Sequence, residues 1–94
     1  MIFIIKQIKD MKLYYYYSDN CKCCDGYSKV VDKLCVELGI IPEMVNIDNM
    51  KASHDLSGVP SVVLTNRGVV IYKSVGNLKY DNLIVEVKKA INGQ

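Results

Sequence analysis

No part of this 94-residue chain stays apolar for long. Near its start the longest uninterrupted run, Ile2-Phe3-Ile4-Ile5, meets Lys6 at once and is far too short for a membrane span or a signal-peptide core. Blocks of one charge are also missing. Twelve basic against ten acidic side chains leave a net +2, so no charge pattern argues for nucleic acid or an anionic membrane as a partner. The absence of internal repeats and low-complexity linkers excludes a solenoid or a multidomain chain. One domain over 1–94 is expected, working as a monomer. Half of its residues are apolar, enough for a core that needs no disulfide staples. Histidine occurs once, at His54, and no second cysteine pair accompanies the first, so one copy lacks a closed four-ligand metal site. Neither a metal nor a bound cofactor is expected.

These absences make the chain read as cytoplasmic, where thiols are kept reduced. Four cysteines there point to catalysis or metal binding rather than a structural framework. Cys21, Cys23 and Cys24 cluster, and cross-links among them would close almost no loop. Cys21-Lys22-Cys23-Cys24 follows the β-favouring run Leu13-Tyr14-Tyr15-Tyr16-Tyr17 and precedes an amphipathic stretch. A Cys-x-x-Cys pair at a strand-to-helix junction puts the first sulfur at a helix N-terminus, where unpaired N–H groups and the dipole favour thiolate. The second sulfur, one turn on, is within reach to close a disulfide.

Around that pair the elements follow from periodicity. Lys12 to Tyr17 lacks clean alternation, as a central strand covered on both faces would. Ser18-Asp19-Asn20 offers capping side chains to the next helix. Its stripe is Tyr27, Val30, Val31, Leu34, Cys35 and Leu38, and it ends at Gly39 with Pro42 just beyond. Met44 to Ile47 reads as a strand and Met50 to Leu56 as a short, weakly periodic helix. Ser61–Thr65, Asn66-Arg67-Gly68 and Val69–Tyr72 read as a hairpin closed by Gly76. Leu83, Ile84, Val87 and Ile91 stripe a last helix that ends near Lys88 and Lys89. Residues 1–11 read either as an N-terminal extension or as a first strand. The order predicts an α/β fold: a mixed parallel and antiparallel sheet of about four strands with helices on both faces.

Two stretches carry a resemblance. Tyr16-Tyr17-Ser18-Asp19-Asn20-Cys21-Lys22-Cys23-Cys24, and Ser57-Gly58-Val59-Pro60-Ser61-Val62-Val63-Leu64 with Arg67-Gly68 and Val75-Gly76, resemble the thioredoxin superfamily, its glutaredoxin-like members included. The resemblance implies a thioredoxin fold and a thiol–disulfide oxidoreductase that reduces protein disulfides through a Cys21–Cys24 dithiol/disulfide cycle, without another cofactor. It makes Cys21 the nucleophile and Cys24 the resolving thiol. Pro60 becomes a cis proline opposite them, and the Val59 backbone, with Gly76 beside it, an edge for an extended substrate. Disulfide-containing proteins are the implied substrates. A reductase such as thioredoxin reductase, or glutathione, is the implied electron donor.

The chain also departs from the family. Asn20 stands where a tryptophan is usual, and Lys22-Cys23 replaces the usual dipeptides. Tyr15 occupies the place of a buried aspartate that assists proton transfer to and from the second sulfur. Tyr15 is expected to pack in the sheet and to lend its hydroxyl near Cys24, while Lys22 favours thiolate at Cys21. Cys23 is expected to point away from the pair, as a surface thiol of no role or one that exchanges with the disulfide. Cys35 is expected in the core and His54 exposed on a helix turn. Two other function classes stand beside the leading one. One is a metal or iron–sulfur module completed by a second copy or by glutathione; the other is a redox-inactive binding subunit on the same fold.

Overall fold

The computed structural model describes residues 10–22, 24–49, 54 and 57–93. The helix expected over Met50–Leu56, the strand considered at Ile2–Ile5, and Cys23 lie outside these residues, apart from His54. Strand β1 (Met11–Tyr17) leads into helix α1 (Cys24–Leu38), strand β2 (Glu43–Asn46), strands β3 (Ser61–Asn66) and β4 (Val69–Val75), and helix α2 (Tyr80–Asn92). The sheet order is β2-β1-β3-β4. β1 runs parallel to β2, with Tyr14 opposite Glu43 and Tyr17 opposite Asn46, and antiparallel to β3, with Tyr16 opposite Ser61. A parallel pair needs a crossover, and α1 supplies it.

β1 is buried on both faces where it approaches the cysteines. Tyr15 and Tyr16, adjacent and therefore pointing to opposite faces, are 1% and 0% exposed. Met11, which the sequence left in the N-terminal segment, belongs to β1 and is buried in the core. Asp10 just before it is held to the hairpin, its carbonyl accepting the Arg67 N–H at 3.1 Å and its carboxylate meeting Arg67 Nε at 3.2 Å.

Met11, Leu13 and Tyr15 form one core with Val62, Leu64, the α1 residues Tyr27, Val31, Leu34, Cys35 and Leu38, and the α2 residues Leu83, Val87 and Ile91. Each stripe recurs at three- and four-residue steps, so one side of each helix meets the sheet. Among the described residues both helices therefore lie on the same face. The opposite face carries a smaller cluster of Tyr16, Val45 and Val63, against which Tyr14 and Val59 pack. His54 reaches this face too: its ring meets Tyr14 edge-on, and Nδ1 is 2.6 Å from the Tyr16 hydroxyl. The exposed histidine expected from the sequence is thus half-buried, because two tyrosines offer it a flat apolar wall and a polar partner.

The helix ends follow their cap chemistry. Gly39 takes φ 74°, and the Ile40 N–H returns to the Cys35 carbonyl at 3.0 Å while the Gly39 N–H is 3.3 Å from that of Val36, a Schellman closure. α2 starts after Lys79 with no side-chain cap bond. The β3–β4 turn has positive φ at both Arg67 (54°) and Gly68 (83°), the two-residue type I′ geometry that suits strand twist. Asn66, read from sequence as part of that turn, instead ends β3 opposite Val69. No described helix is long and apolar enough to cross a membrane.

Candidate active site

The site lies where β1 hands over to α1. Cys21 and Cys24 are joined in a disulfide with their α carbons 5.4 Å apart. Two tight turns carry the chain there: the Cys21 N–H donates to the Ser18 carbonyl at 3.1 Å, and the Cys24 N–H to the Cys21 carbonyl at 3.2 Å. α1 thus opens at the second cysteine rather than the first, and Cys21 sits one turn ahead of it. The two sulfurs are not equivalent. Cys24 is 2% exposed in the first turn of the helix, whereas Cys21 is half-buried on the rim of an open depression.

That depression is lined by Ser18, Asn20, Cys21, Lys22, Ile47 and Val59. Lys22 is exposed and shares the lining of this depression with Cys21. The Val59–Pro60 peptide bond is cis, and the Val59 carbonyl oxygen lies 3.9 Å from Cys21 Sγ. Pro60 is buried, and its carbonyl accepts the Gly76 N–H at 2.9 Å. Gly76 has φ 101°, a conformation that L side chains avoid. The structure therefore brings Cys21, Lys22 and Val59 to one surface, with Cys24 behind them and Pro60 and Gly76 as backing.

Tyr15 is placed beneath the helix start. Its buried hydroxyl donates to the Cys24 carbonyl at 2.7 Å, so its proton is committed to backbone. The expectation that this hydroxyl lies near Cys24 is met, with the carbonyl as its acceptor. Cys35 is buried at the far end of α1, where desolvation, and secondarily the Asp32 carboxylate, push its thiol up to about 11. It packs as a small hydrophobe. Among the described residues no three His, Cys, Asp or Glu side chains gather as a metal-ligand set.

Ser18 corrects the sequence reading in another way. Read as a helix cap, its hydroxyl instead lies 2.9 Å from both carboxylate oxygens of Asp48 and accepts the Asn20 N–H at 3.1 Å. Asp48 was not singled out in the sequence. The available signal was local: Asn46-Ile47-Asp48-Asn49 has the composition of an Asx turn, and Asn46 Oδ1 does accept the Asp48 N–H at 2.9 Å.

The sequence matches no protein-family model and no curated protein. Its fold does match solved structures. Thioredoxin-2 of a malaria parasite, described as a component of that organism's protein secretion machinery, superposes with a TM-score of 0.74 at 20% identity, over 84% of this chain and 82% of that one. A mutant thioredoxin from Halobacterium salinarum gives 0.77 at 23% identity, over 93% and 80%. A structure described only as a malarial protein gives 0.75 at 20% identity, over 85% and 96%. The chain has a thioredoxin fold with a Cys-x-x-Cys pair at the junction of β1 and α1. The likeness to the thioredoxin superfamily read from Cys21–Cys24 and Val59-Pro60 holds at the level of the fold.

Proposed function

We propose that this protein is a thiol–disulfide oxidoreductase that reduces protein disulfides by cycling Cys21 and Cys24 between dithiol and disulfide. The observation that carries the reading is the asymmetry of the pair: Cys21 faces the open depression while Cys24 is buried behind it. An incoming disulfide meets Cys21 first. Its thiolate, favoured by the turn leading into α1 and by Lys22, attacks one substrate sulfur, giving a mixed disulfide and releasing the other as a thiolate that takes a proton from water. The Cys24 thiolate then attacks Cys21 Sγ, which releases the second substrate thiol and closes Cys21–Cys24. Two electrons and two protons from a donor, such as thioredoxin reductase or glutathione, restore the dithiol.

An extended substrate segment pairs with the Val59 backbone above Pro60, where strand addition supplies affinity with little demand on sequence. Exposed Ile47 and Val75 offer apolar contact around it. On this reading the protein works as a cytoplasmic monomer, needs no cofactor beyond its own disulfide, and engages neither nucleic acid nor membrane.

Insulin reduction with dithiothreitol as donor tests it. The wild-type chain accelerates the reaction, Cys21→Ser abolishes it, and Cys24→Ser accumulates a covalent Cys21–substrate disulfide visible by mass spectrometry. A wild-type chain that passes no electrons to any disulfide, or a Cys24→Ser chain with full turnover, rules the assignment out.

A further inference from the structure

Asp48 stands outside the cysteine pair yet is bonded to the loop that carries it. Its Oδ2 accepts the Asp19 N–H at 2.9 Å, and both its oxygens lie 2.9 Å from the Ser18 hydroxyl. Ser18 is buried, its carbonyl accepts the Cys21 N–H, and the Cys21 carbonyl in turn accepts the Cys24 N–H. An unbroken path of hydrogen bonds thus runs from one carboxylate to both redox cysteines. Asp48 is itself fixed from the sheet. The Ile47 N–H donates to the Tyr17 carbonyl at 2.9 Å, extending the β1–β2 ladder one residue, and Asn46 holds the turn through the Asp48 and Asn49 N–H groups.

We propose that Asp48 is a positioning residue for the redox step: it latches the Ser18–Cys21 turn to the end of β2, so that Cys21 Sγ keeps its place beside the Val59 carbonyl and its access to the depression. The proposal rests on the dithiol reaction set out above. Hydrogen bonds to an ionised acceptor are stronger than neutral ones, and here two converge on adjacent residues of an otherwise exposed loop. Nucleophilic attack is sensitive to such placement, since small displacements from the productive geometry remove much of the rate. A merely structural bond would lower stability and leave the reactivity of folded molecules alone.

The full chain is compared with D48A, D48N and S18A, and with the double S18A/D48A variant. Two rates are read on folded protein: alkylation of Cys21 by iodoacetamide in the reduced chain, and kcat/KM for insulin reduction. D48A is expected to lower both by about tenfold. S18A should fall to a similar level, and the double variant should lose little more, because the two residues act as one link. D48N, which keeps one acceptor oxygen, should recover at least half of the loss on a logarithmic scale. D48A within about twofold of wild type on both rates, or additive losses in the double variant, overturns the proposal. If D48A does not fold, S18A and D48N carry the test, and wild-type rates in both overturn it. Alkylation needs no partner, so it reports on the latch even if the wild-type chain reduces no disulfide, the outcome that sinks the reaction itself.

Discussion

Tyr15→Phe separates two roles that the tyrosine beneath Cys24 could fill. The ring stacks on Tyr17 at 5.6 Å between centroids and tilts against Tyr27 at 6.1 Å, contacts that phenylalanine keeps. The hydroxyl and its 2.7 Å bond to the Cys24 carbonyl are lost. A buried neutral hydrogen bond contributes about 0.5–1.5 kcal/mol net, and an orphaned partner raises that cost. This carbonyl is not orphaned, because the helical pattern directs the residue 28 N–H to it, so about 1 kcal/mol is expected. In a domain of this size that lowers the thermal midpoint by about 4–8 °C. The bond reaches backbone rather than the exchanging electrons, so the oxidised and reduced forms should lose the same amount. The reduction potential then moves by less than about 20 mV, since 30 mV corresponds to about 1.4 kcal/mol for two electrons. Unfolding of both redox forms, with equilibration against a glutathione buffer, measures all three quantities. A proton relay would behave otherwise, since losing a general acid or base costs about 10²–10⁴ in rate. A hundredfold fall in turnover, or destabilisation confined to one redox form, would refute a purely structural role for this hydroxyl.

Cys35 and Gly26 give two further tests on α1. Burial raises the Cys35 thiol to about 11, above its ordinary 9.0, so the neutral form is favoured in the folded chain. Its contribution to stability is complete below pH 9 and is lost as pH rises toward 11, by up to about 1.4 kcal/mol per pH unit in that window. Urea unfolding of wild type and Cys35→Ala across pH 8–11 should show the wild type losing stability more steeply there; parallel curves would contradict the assignment. Gly26 is exposed in the first turn of α1, on a helical backbone, and a β carbon added there would meet nothing within 4 Å, so Gly26→Ala should stabilise the protein by about 0.5–1 kcal/mol. A lower thermal midpoint in that variant would show that something other than helix propensity governs this turn.

What the sequence made legible was local. The stripes of α1 and α2 repeat within a few residues, Gly39 marks a helix end by its own backbone freedom, and Asn66-Arg67-Gly68 marks a glycine-containing turn that the structure narrows to Arg67-Gly68. Cys21–Cys24 and Val59-Pro60 are likewise short patterns, although their meeting across the fold was an expectation drawn from family likeness. What stayed hidden depends on partners far along the chain. Asp48 reaches Ser18 across 30 positions, and His54 reaches Tyr16 across 38. Nothing in the periodicity of Met50 to Leu56 says which tyrosine face the imidazole will meet. Tyr15 was legible as a packed ring, but the acceptor for its hydroxyl was decided by how α1 lies on β1.

The disulfide is held at its two ends by bonds of different kinds, and this bears on how it can open. Cys24 is held from below by a neutral, buried bond from Tyr15, which bulk salt screens little. Cys21 is held from the side, through Ser18 and Asp19, by the carboxylate of a residue exposed at the loop surface. Opening the pair requires the sulfurs to separate, and the half-buried Cys21 side chain can turn toward the open depression while its latched backbone stays, whereas the buried Cys24 side chain has no such space. The displacement on reduction is therefore expected at the Cys21 side chain, with its latched turn and the start of α1 staying in place. The end that moves is the end that must meet a substrate, and the end that stays provides the fixed sulfur that resolves the mixed disulfide.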